Sequence, residues 1–261
     1  MIRVISSGCG GRMGIAFARA AEADPEIQIV AGIRRKPEKT GDFPVYLDPM
    51  EYGGEADVIV DFSAPDALDA LLRCASERLL PLVLCATGYS AEQLDKIRAA
   101  SRDLPIFRSG NMSLGINLLA ELVARAAAAL GSGFDVEIVE RHHRRKLDAP
   151  SGTALMLADA VSGARVKRPE YVFDRSERRA ERPRDEIGFS AVRGGTIVGE
   201  HEVIFAGADE VIEIKHTAYS RDVFAAGALR AARFMAAVTT PGIYDMSDVL
   251  GSIKRDENSP K

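Results

Sequence analysis

The chain opens with the stretch Ile2-Arg3-Val4-Ile5-Ser6-Ser7-Gly8-Cys9-Gly10-Gly11-Arg12-Met13-Gly14, which decides the fold. Its apolar start predicts a short strand, and the alanine-rich segment over residues 13–23 predicts a helix. The pattern then repeats, with further strands predicted over residues 27–33, 57–61, 81–85 and 105–108 and helices over 67–76 and 91–101. Strands that alternate with helices in this way are typical of an α/β fold with a doubly wound parallel sheet.

The pattern changes after residue 112, where a long helix rich in alanine and leucine is predicted over residues 114–130. Strand-like runs follow with only one helix, at 153–161, between them: 135–140, 186–192, 196–205 and 210–217. Strands clustered in this way predict a second, α+β domain built on a mostly antiparallel sheet.

Three further predictions follow for the organisation of the second half of the chain. Because residues 222–238 are helical again, we predict that 1–112 and 219–261 form one domain and 113–218 the other. Residues 175–185, rich in Arg and Glu, are expected to form an exposed loop. Residues 254–261 are expected to be a solvated tail.

Composition and charge exclude several classes of protein. A formal net charge of −4 gives no overall attraction to nucleic acid or to an anionic membrane. The longest apolar stretches are judged strand-length, and the chain begins directly with a strand rather than a signal peptide. The 3 cysteines include no CxxC pair, which predicts neither a disulfide framework nor a zinc site. We therefore expect a cytoplasmic protein without metal, nucleic-acid or membrane partners.

The glycines of the opening stretch have the spacing of a dinucleotide-binding turn. Gly8, Gly11 and Gly14 lie between a predicted strand and a predicted helix, which is the context that this fingerprint requires. Such glycines let backbone N–H groups approach a pyrophosphate, and the helix beginning near Arg12 directs its positive end at the same anion. We predict a Rossmann-like cofactor site; the alternative is a tight strand–helix turn without a ligand.

The end of the second strand indicates which cofactor is preferred. Arg34, Arg35 and Lys36 follow it directly, whereas enzymes that use NAD usually carry a carboxylate at this position. Arginines can form charge-assisted hydrogen bonds with a 2′-phosphate. We therefore predict a preference for NADPH, with NADH possible, and the alternative is a solvated basic loop.

The densest concentration of reactive side chains is Glu140-Arg141-His142-His143-Arg144-Arg145-Lys146-Leu147-Asp148-Ala149-Pro150-Ser151-Gly152-Thr153. Ser151 is suited to cap the helix that follows, and the N–H groups of Gly152 and Thr153 would then bind a carboxylate. The neighbouring His and Lys side chains could bind a second carboxylate or supply a proton. The alternative interpretation is an exposed basic loop that binds polyanions.

This segment resembles the signature of the 4-hydroxy-tetrahydrodipicolinate reductase (dihydrodipicolinate reductase) family, E-x-H-H-x-x-K-x-D-A-P-S-G-T-A, over Glu140 to Ala154. The resemblance extends over nearly the whole chain. Its other motifs are Gly8–Gly14 with Arg12-Met13, Asp61-Phe62-Ser63, Asn111-x-Ser113-x-Gly115, Gly188-Phe189, Val192-Arg193, Gly199-Glu200-His201, Ser220-Arg221 and Pro241-Gly242-x-Tyr244.

The resemblance implies an NAD(P)H-dependent reduction of 4-hydroxy-tetrahydrodipicolinate, with loss of water, in the diaminopimelate and lysine pathway. It implies that His142 is the general acid and that Lys146 assists protonation. Substrate carboxylates would contact His143, Ser151, Gly152, Thr153 and Arg221. The cofactor would contact Gly8, Gly11, Arg12, Met13, Gly14, Arg34, Arg35, Phe62, Ser63, Ala86, Thr87, Gly88, Ser109, Asn111 and Met112. A homotetramer formed through the second domain's sheet is also implied.

Two departures from the family pattern bear on nicotinamide binding. Cys85-Ala86-Thr87-Gly88 stands where the family often has Gly-Thr-Thr-Gly, and Met112 stands where it often has an aromatic residue.

Two rival functions are weighed against this one. A semialdehyde dehydrogenase would need an activated cysteine in the second half, and none lies beyond Cys85. A non-catalytic NADP(H)-binding sensor would keep the glycine turn but would not need His142, Lys146 and the helix cap together. His201 and His216, in strand-like segments, are interpreted as structural.

Overall fold

The first predicted strand lies inside a parallel sheet, as the alternating pattern predicts. The structure, a computed structural model, describes residues 1–36, 41–176 and 178–257. The strands of this sheet are β1 (Ile2–Ser7), β2 (Ile27–Ile33), β3 (Val45–Tyr46), β4 (Val58–Asp61), β5 (Leu82–Leu84), β6 (Pro105–Arg108) and β12 (Gly242–Tyr244). Their order is β12-β6-β5-β4-β1-β2-β3, with all neighbours parallel. The short strands β3 and β12 were not predicted, because two or three residues carry too little periodicity.

Helices cover both faces of this sheet. They are α1 (Arg12–Glu22), α2 (Leu68–Arg78), α3 (Ala91–Ala100), α6 (Asp222–Ala236) and α7 (Met246–Glu257). Successive strand residues point to opposite faces, so Val4 packs in one apolar core and Ile5 in the other. The first core includes residues of α1, α6 and α7, and the second includes residues of α2 and α3. The predicted doubly wound α/β fold is confirmed.

Helix α7 extends into the segment 254–261 that is predicted to be a solvated tail, so that residues 254–257 are helical. Met246 and Val249 are 0% and 2% exposed and belong to the same core as α6. Their spacing of three residues places both on one helix face, which buries the first turns of α7 against the core. Residues 258–261 of the predicted tail lie outside the described residues.

The second sheet is mixed. Its strands are β7 (Asp135–His142), β8 (Glu170–Val172), β9 (Glu186–Arg193), β10 (Gly199–Ala206) and β11 (Val211–Ala218), in the order β11-β10-β7-β9-β8. Strand β10 is antiparallel to β7 and β11, whereas β9 is parallel to β7 and β8. A mostly antiparallel sheet was expected, but the connection through α5 (Gly152–Gly163) lets the chain return and run parallel to β7.

The remaining α-helix is α4 (Leu114–Leu130). Its apolar sequence is longer than a strand, so the expectation that the longest apolar stretches are strand-length is wrong. Among the described residues, the 20-residue stretch Leu114–Gly133 is long and apolar enough to cross a membrane by length and composition. Ile116, Leu119, Val123 and Ala127 nevertheless pack with strands of the second sheet. This spacing of three and four residues is the core-facing stripe of a helix that packs on a sheet.

Most described residues of the loop between β8 and β9 are exposed, as predicted, and arginines connect this loop to the sheet. Arg175 and Arg178 donate hydrogen bonds to the carboxylate of Glu186, at 2.5 and 2.9 Å, and Glu186 is only 2% exposed. Arg182 donates to Asp135 at 2.7 Å. The loop composition alone did not indicate these partners, because they lie on other strands.

The chain divides into two structural units. The first contains the described residues of Met1–Leu114 and Arg221–Lys261, and the second is Gly115–Ser220. These limits lie within two residues of the domain boundaries predicted at 112/113 and 218/219. The assignment of cofactor binding to one domain and substrate binding to the other remains a proposal.

Gly227 is expected to be required for packing within the first unit. A Cβ at this position in α6 would overlap the carbonyl oxygen of Met112. We expect Gly227→Ala to lower the free energy of unfolding by about 1–3 kcal/mol, as overpacked sites do. Chemical denaturation of purified variants measures this.

Gly251→Ala is the matched control, because a Cβ at Gly251 in α7 has no neighbouring atom within 4 Å. It should leave stability unchanged or raise it by up to about 1 kcal/mol through helix propensity. Equal destabilisation by both substitutions would contradict the packing argument.

Candidate active site

The glycine turn after β1 has a backbone that other residues could not easily adopt. Gly8 has a φ of +73°, and a Cβ there would lie 2.6 Å from the carbonyl carbon of Phe62. A Cβ at Gly14 would overlap the carbonyl oxygen of Gly8. The turn and the first residues of α1 therefore pack closely because side chains are absent. The helix begins at an N-cap, Gly11, that offers no side-chain hydrogen bond, so its first N–H groups suit a phosphate.

A cavity of about 430 Å³ lies beside this turn, at the carboxyl ends of the parallel strands. Ligands of open α/β sheets bind at this edge. Six of the predicted cofactor residues line the cavity: Gly8, Gly11, Arg34, Arg35, Phe62 and Ser63. Its apolar wall includes Leu47, Pro49 and Leu71. The lining therefore has the composition that a dinucleotide needs.

The two arginines of the cavity have different surroundings. The guanidinium of Arg34 lies against Gly10, where a Cβ would be 2.6 Å from its Cζ. Arg35 forms an ion pair with Asp66 at 2.9 Å, and both side chains are 80% exposed. An exposed pair of this kind contributes little stability. Of these two arginines, Arg34 is therefore the one that lies against the glycine turn.

The other predicted cofactor residues lie outside the lining of this cavity. Arg12, Met13 and Gly14 belong to the first turn of α1, and Ala86, Thr87 and Gly88 follow β5. Ser109, Asn111 and Met112 follow β6. The Met112 side chain is only 4% exposed and belongs to the core, so its departure from the family pattern concerns packing.

In the second unit, the predicted general acid lies at the end of β7. Alternating burial along this strand places Glu140 and His142 on the same face. Nδ1 of His142 lies 2.6 Å from Oε2 of Glu140, whose carboxylate is fully buried. Arg193, on β9, donates from both terminal nitrogens to the two oxygens of that carboxylate, at 2.6 and 2.7 Å.

These contacts determine the protonation states of the pair. Burial raises the pKa of Glu140, but hydrogen bonds from Arg193 and His142 outweigh it and lower that pKa overall. The carboxylate is therefore ionised, and Nδ1 of His142 carries the proton that it accepts. Burial lowers the pKa of His142, against the opposing effect of Glu140. The other nitrogen, Nε2, faces Gly199, where a Cβ would be 3.1 Å away.

Ser151 is the N-cap of α5, which confirms the capping prediction. Its Oγ accepts a hydrogen bond from the backbone N–H of Ala154 at 3.1 Å. Its own N–H donates to Oε1 of Glu140 at 3.1 Å. Oγ also lies 2.8 Å from Nε2 of His201. The start of α5 is thus joined to the carboxylate that contacts His142.

His201 is buried and hydrogen-bonded, in agreement with its interpretation as a structural histidine. Burial, followed by the charge of His142, lowers the pKa of His201 to about 3, so its imidazole is neutral at neutral pH. Its ring meets that of His142 edge-on, with centroids 5.1 Å apart.

The remaining predicted substrate residues of the second unit lie near this cluster in the chain. Lys146 is half-buried and pairs with Asp148 at 2.9 Å. Nδ1 of His143 is buried and forms no hydrogen bond with the described residues. Gly152 is exposed, with open space at its Cβ position. Arg221 is exposed at the start of α6 and belongs to the first unit.

Sequence reasoning assigned no role to Glu140 and Arg193. The spacing of Glu140, two residues before His142 on a predicted strand, was a usable signal because such residues share a face. Arg193 lies 53 residues further along the chain, and no local pattern indicates its contact with Glu140.

Two observations bear on the alternatives. Burial, together with the charge of Asp61, raises the pKa of the Cys85 thiol well above its ordinary value. A protonated thiol is a poor nucleophile, which disfavours the semialdehyde dehydrogenase. Among the described residues, no group of three or more His, Cys, Asp or Glu side chains is placed to hold a metal ion.

A parallel sheet with a glycine turn, together with a separate unit carrying a carboxylate–imidazole pair beside a helix N-cap, defines a nucleotide-dependent oxidoreductase of two units. A family model described as dihydrodipicolinate reductase, N-terminus, matches residues 2–112. Another, described as dihydrodipicolinate reductase, C-terminus, matches residues 115–250. The chain belongs to the dihydrodipicolinate reductase family, which confirms the resemblance found in its motifs.

Curated relatives match over nearly their full lengths. A 4-hydroxy-tetrahydrodipicolinate reductase of Caldanaerobacter subterraneus subsp. tengcongensis is 51% identical, covering 96% of this chain and 98% of the relative. One of Rubrobacter xylanophilus is 46% identical, covering 97% and 99%. A solved dipicolinate-bound dihydrodipicolinate reductase from Paenisporosarcina sp. TG-14 is similar in fold, with a TM-score of 0.78 and 23% identity over 94% of this chain and 98% of that one.

The low pKa of His201 predicts a pH-dependent contribution to stability. The ordinary pKa of a histidine is near 6.5, whereas that of His201 in the folded chain is about 3. Between these pH values the unfolded chain binds a proton at this residue and the folded chain does not, so stability falls as the pH falls. His201→Gln should destabilise the protein at pH 8 by about 1–3 kcal/mol, through loss of the buried hydrogen bond. As the pH falls below 6.5, wild type should lose up to about 1.4 kcal/mol more per pH unit than the variant. Denaturation curves between pH 8 and pH 5 measure the difference in free energy of unfolding between wild type and His201→Gln.

Glu186→Gln is the control for this measurement. Although burial raises the pKa of Glu186, its arginine partners lower it overall, so this carboxyl stays ionised above pH 5. The difference in free energy of unfolding between Glu186→Gln and wild type should stay constant between pH 8 and pH 5. A constant gap for His201→Gln as well would contradict the buried, neutral imidazole.

Proposed function

We propose that this chain catalyses the NAD(P)H-dependent reduction of 4-hydroxy-tetrahydrodipicolinate, with loss of water, to tetrahydrodipicolinate in diaminopimelate and lysine biosynthesis. The observation that carries the proposal is the buried Glu140–His142 pair, joined through one carboxylate to the N-cap of α5. A proton donor and a carboxylate site are thereby held side by side. Full-length relatives named for this reaction support the same assignment.

The start of α5 is proposed to bind a substrate carboxylate. The positive end of a helix and its first N–H groups favour an anion, and Gly152 leaves the approach open. Thr153 follows in the same turn, and Ser151 fixes that turn through its cap. The buried, unpartnered Nδ1 of His143 provides a further polar group for a carboxylate. Arg221 is proposed to contact the second carboxylate.

His142 is proposed to deliver the proton. Nδ1–H stays bound to Glu140, so His142 acts as an acid once Nε2, which faces the space beside Gly199, has taken up a second proton from solvent. The imidazolium then transfers this Nε2 proton and returns to the neutral Nδ1–H form. Lys146 is proposed to assist by placing a positive charge near the ring nitrogen of the substrate, where charge develops during the reaction. Its pairing with Asp148 keeps the ammonium within this loop.

The cavity beside the glycine turn is proposed to hold the dinucleotide, which supplies the hydride when bound. The N–H groups at the start of α1 would hold its pyrophosphate, and Arg34 a 2′-phosphate. Arg35, which pairs with Asp66, also lines this cavity. NADPH is therefore proposed as the preferred cofactor. The cytoplasmic location and the homotetramer remain predictions.

Substitution of the proposed proton-transfer groups should abolish most of the activity. We expect His142→Gln and Lys146→Ala each to lower kcat by about 10²–10⁴-fold, the usual contribution of general acid catalysis. NADPH binding, followed by fluorescence, should be unchanged, because both residues lie outside the first unit. The assay is NADPH oxidation that depends on freshly prepared hydroxy-tetrahydrodipicolinate.

Lys167→Ala is the matched control, since Lys167 pairs with an exposed carboxylate, Asp185, in the same unit. It should keep wild-type kcat. Wild-type turnover in both His142→Gln and Lys146→Ala would contradict the roles proposed for these residues. If the wild-type enzyme itself does not oxidise NADPH when substrate is added, the proposed reaction is wrong.

Arg34 should determine the cofactor preference. Arg34→Ala is expected to lower kcat/KM for NADPH by about 10- to 100-fold, the loss of one or two charge-assisted hydrogen bonds, and to leave NADH almost unchanged. Arg98→Ala, at an exposed pair with Asp95, is the control and should change neither. Wild-type kcat/KM for NADH equal to or above that for NADPH would contradict the preference.

A further inference from the structure

Glu140 is the most enclosed charged group near the proposed proton donor. Its side chain is fully buried, and its two oxygens lie within hydrogen-bond distance of His142 Nδ1, Ser151 N and both terminal nitrogens of Arg193. A buried carboxylate is costly unless donors surround it, and the loss of one partner leaves a strongly unfavourable charge. Each partner of Glu140 is therefore held in a narrow range of positions.

The three partners belong to three different elements. His142 is the last residue of β7, Ser151 is the N-cap of α5, and Arg193 is the last residue of β9. The register of the parallel pair β7 and β9 places His142 beside Arg193. One carboxylate thus fixes the imidazole and the start of the anion-binding helix relative to each other.

Arg193 extends this arrangement to the loop that carries Lys146. Its Nη2 donates to the backbone oxygen of Asp148 at 2.7 Å, in addition to Glu140. The N–H of Gly194 donates to the backbone oxygen of His142 at 2.9 Å. The end of β9 is therefore hydrogen-bonded to both ends of residues 142–148, called here the basic segment.

We propose that Glu140, held by Arg193, is the positioning residue of this site, which fixes the Nδ1-protonated tautomer of His142 and sets the start of α5 at a constant distance from that imidazole. This inference rests on the proposed function, in which His142 donates the proton and α5 binds a carboxylate. It assigns a specific task to an ion pair that could otherwise serve stability alone.

A purely structural ion pair exists in the same sheet for comparison. Glu186, also on β9 and 2% exposed, is bonded by Arg175 and Arg178. Within the described part of the chain, the carboxylate of Glu186 accepts hydrogen bonds from neither a histidine nor a helix N-terminus. Glu186→Gln therefore removes an equally buried carboxylate without touching the proposed proton donor.

The pH dependence has a definite sign. The charged groups that act on the pKa of His142 are Glu140 on β7, Lys146 in the following loop and Arg193 on β9. His201 on β10 faces the same ring edge-on. Burial lowers the pKa of His142, and Glu140 alone among these opposes that effect. Removing the charge of Glu140 should lower the pKa of His142 further, so the acid form is lost at a lower pH.

The first experiment is steady-state kinetics of Glu140→Gln against pH. We expect kcat to fall by about 10²-fold or more, as when an orienting carboxylate is replaced by its amide and the histidine takes the wrong tautomer. The alkaline limb of the kcat profile should move to lower pH. KM for the substrate should change less, since the amide oxygen can still accept from Ser151. Glu140→Ala, which loses that acceptor as well, should raise KM too.

Two variants make this result specific. Glu186→Gln should keep both the wild-type kcat and the wild-type pH profile, even if it lowers stability. Glu140→Asp retains the charge and should restore the position of the alkaline limb, with kcat between those of wild type and Glu140→Gln. A Glu140→Gln enzyme with the wild-type kcat and profile would overturn the proposal, as would equal effects in Glu186→Gln.

The second experiment does not depend on turnover. Imidazole ¹⁵N chemical shifts of His142 should report the Nδ1–H tautomer in wild type and its loss in Glu140→Gln, with His142→Gln identifying the signal. An Nε2–H tautomer in wild type would overturn the positioning role and leave the proposed reaction intact. A wild-type protein without substrate-dependent NADPH oxidation would instead remove the proposed function, whatever the tautomer.

Discussion

The second unit is organised around a negative charge that has no contact with water. Glu140 is stabilised only because β7, β9 and α5 converge on it with matching donors. Moving any of these elements would leave a buried ion or a buried N–H group without a partner, at a cost of several kcal/mol. The geometry of the basic segment therefore follows from a single electrostatic constraint, which also determines how His142 is oriented and protonated.

The first unit follows a different constraint, which is close packing. The turn after β1 can lie against Phe62 and against the start of α1 only because Gly8 and Gly14 lack side chains. The same lack of side chains leaves backbone N–H groups accessible at the carboxyl edge of the sheet, the edge at which open α/β sheets bind their ligands. The absence of side chains at Gly8 and Gly14 thus accounts both for the close packing of the turn and for its exposed N–H groups. The arginines after β2 add positive charge to the lining of the cavity beside this turn.

Much of the site could be predicted because its members are neighbours in the chain. Ser151 was identifiable as a helix cap, since capping depends on residues within one turn. The link from Ser151 to His201, 50 residues away, was not, because strand register is set by packing of whole elements. The mixed second sheet escaped prediction for the same reason. The direction of β9 depends on where α5 packs, which no local pattern contains.

The sequence by itself determined the doubly wound parallel sheet, the glycine turn and the cap of α5, because periodicity and spacing are local properties. Its motifs also identified the reductase family, by resemblance. Only the tertiary structure decided that Arg193 meets Glu140 and that Nδ1 of His142 is the nitrogen they fix. It also decided that Met112 belongs to the core and that the arginine-rich loop is held to the sheet. These features depend on contacts between distant residues, whose geometry exists only once the strands have paired.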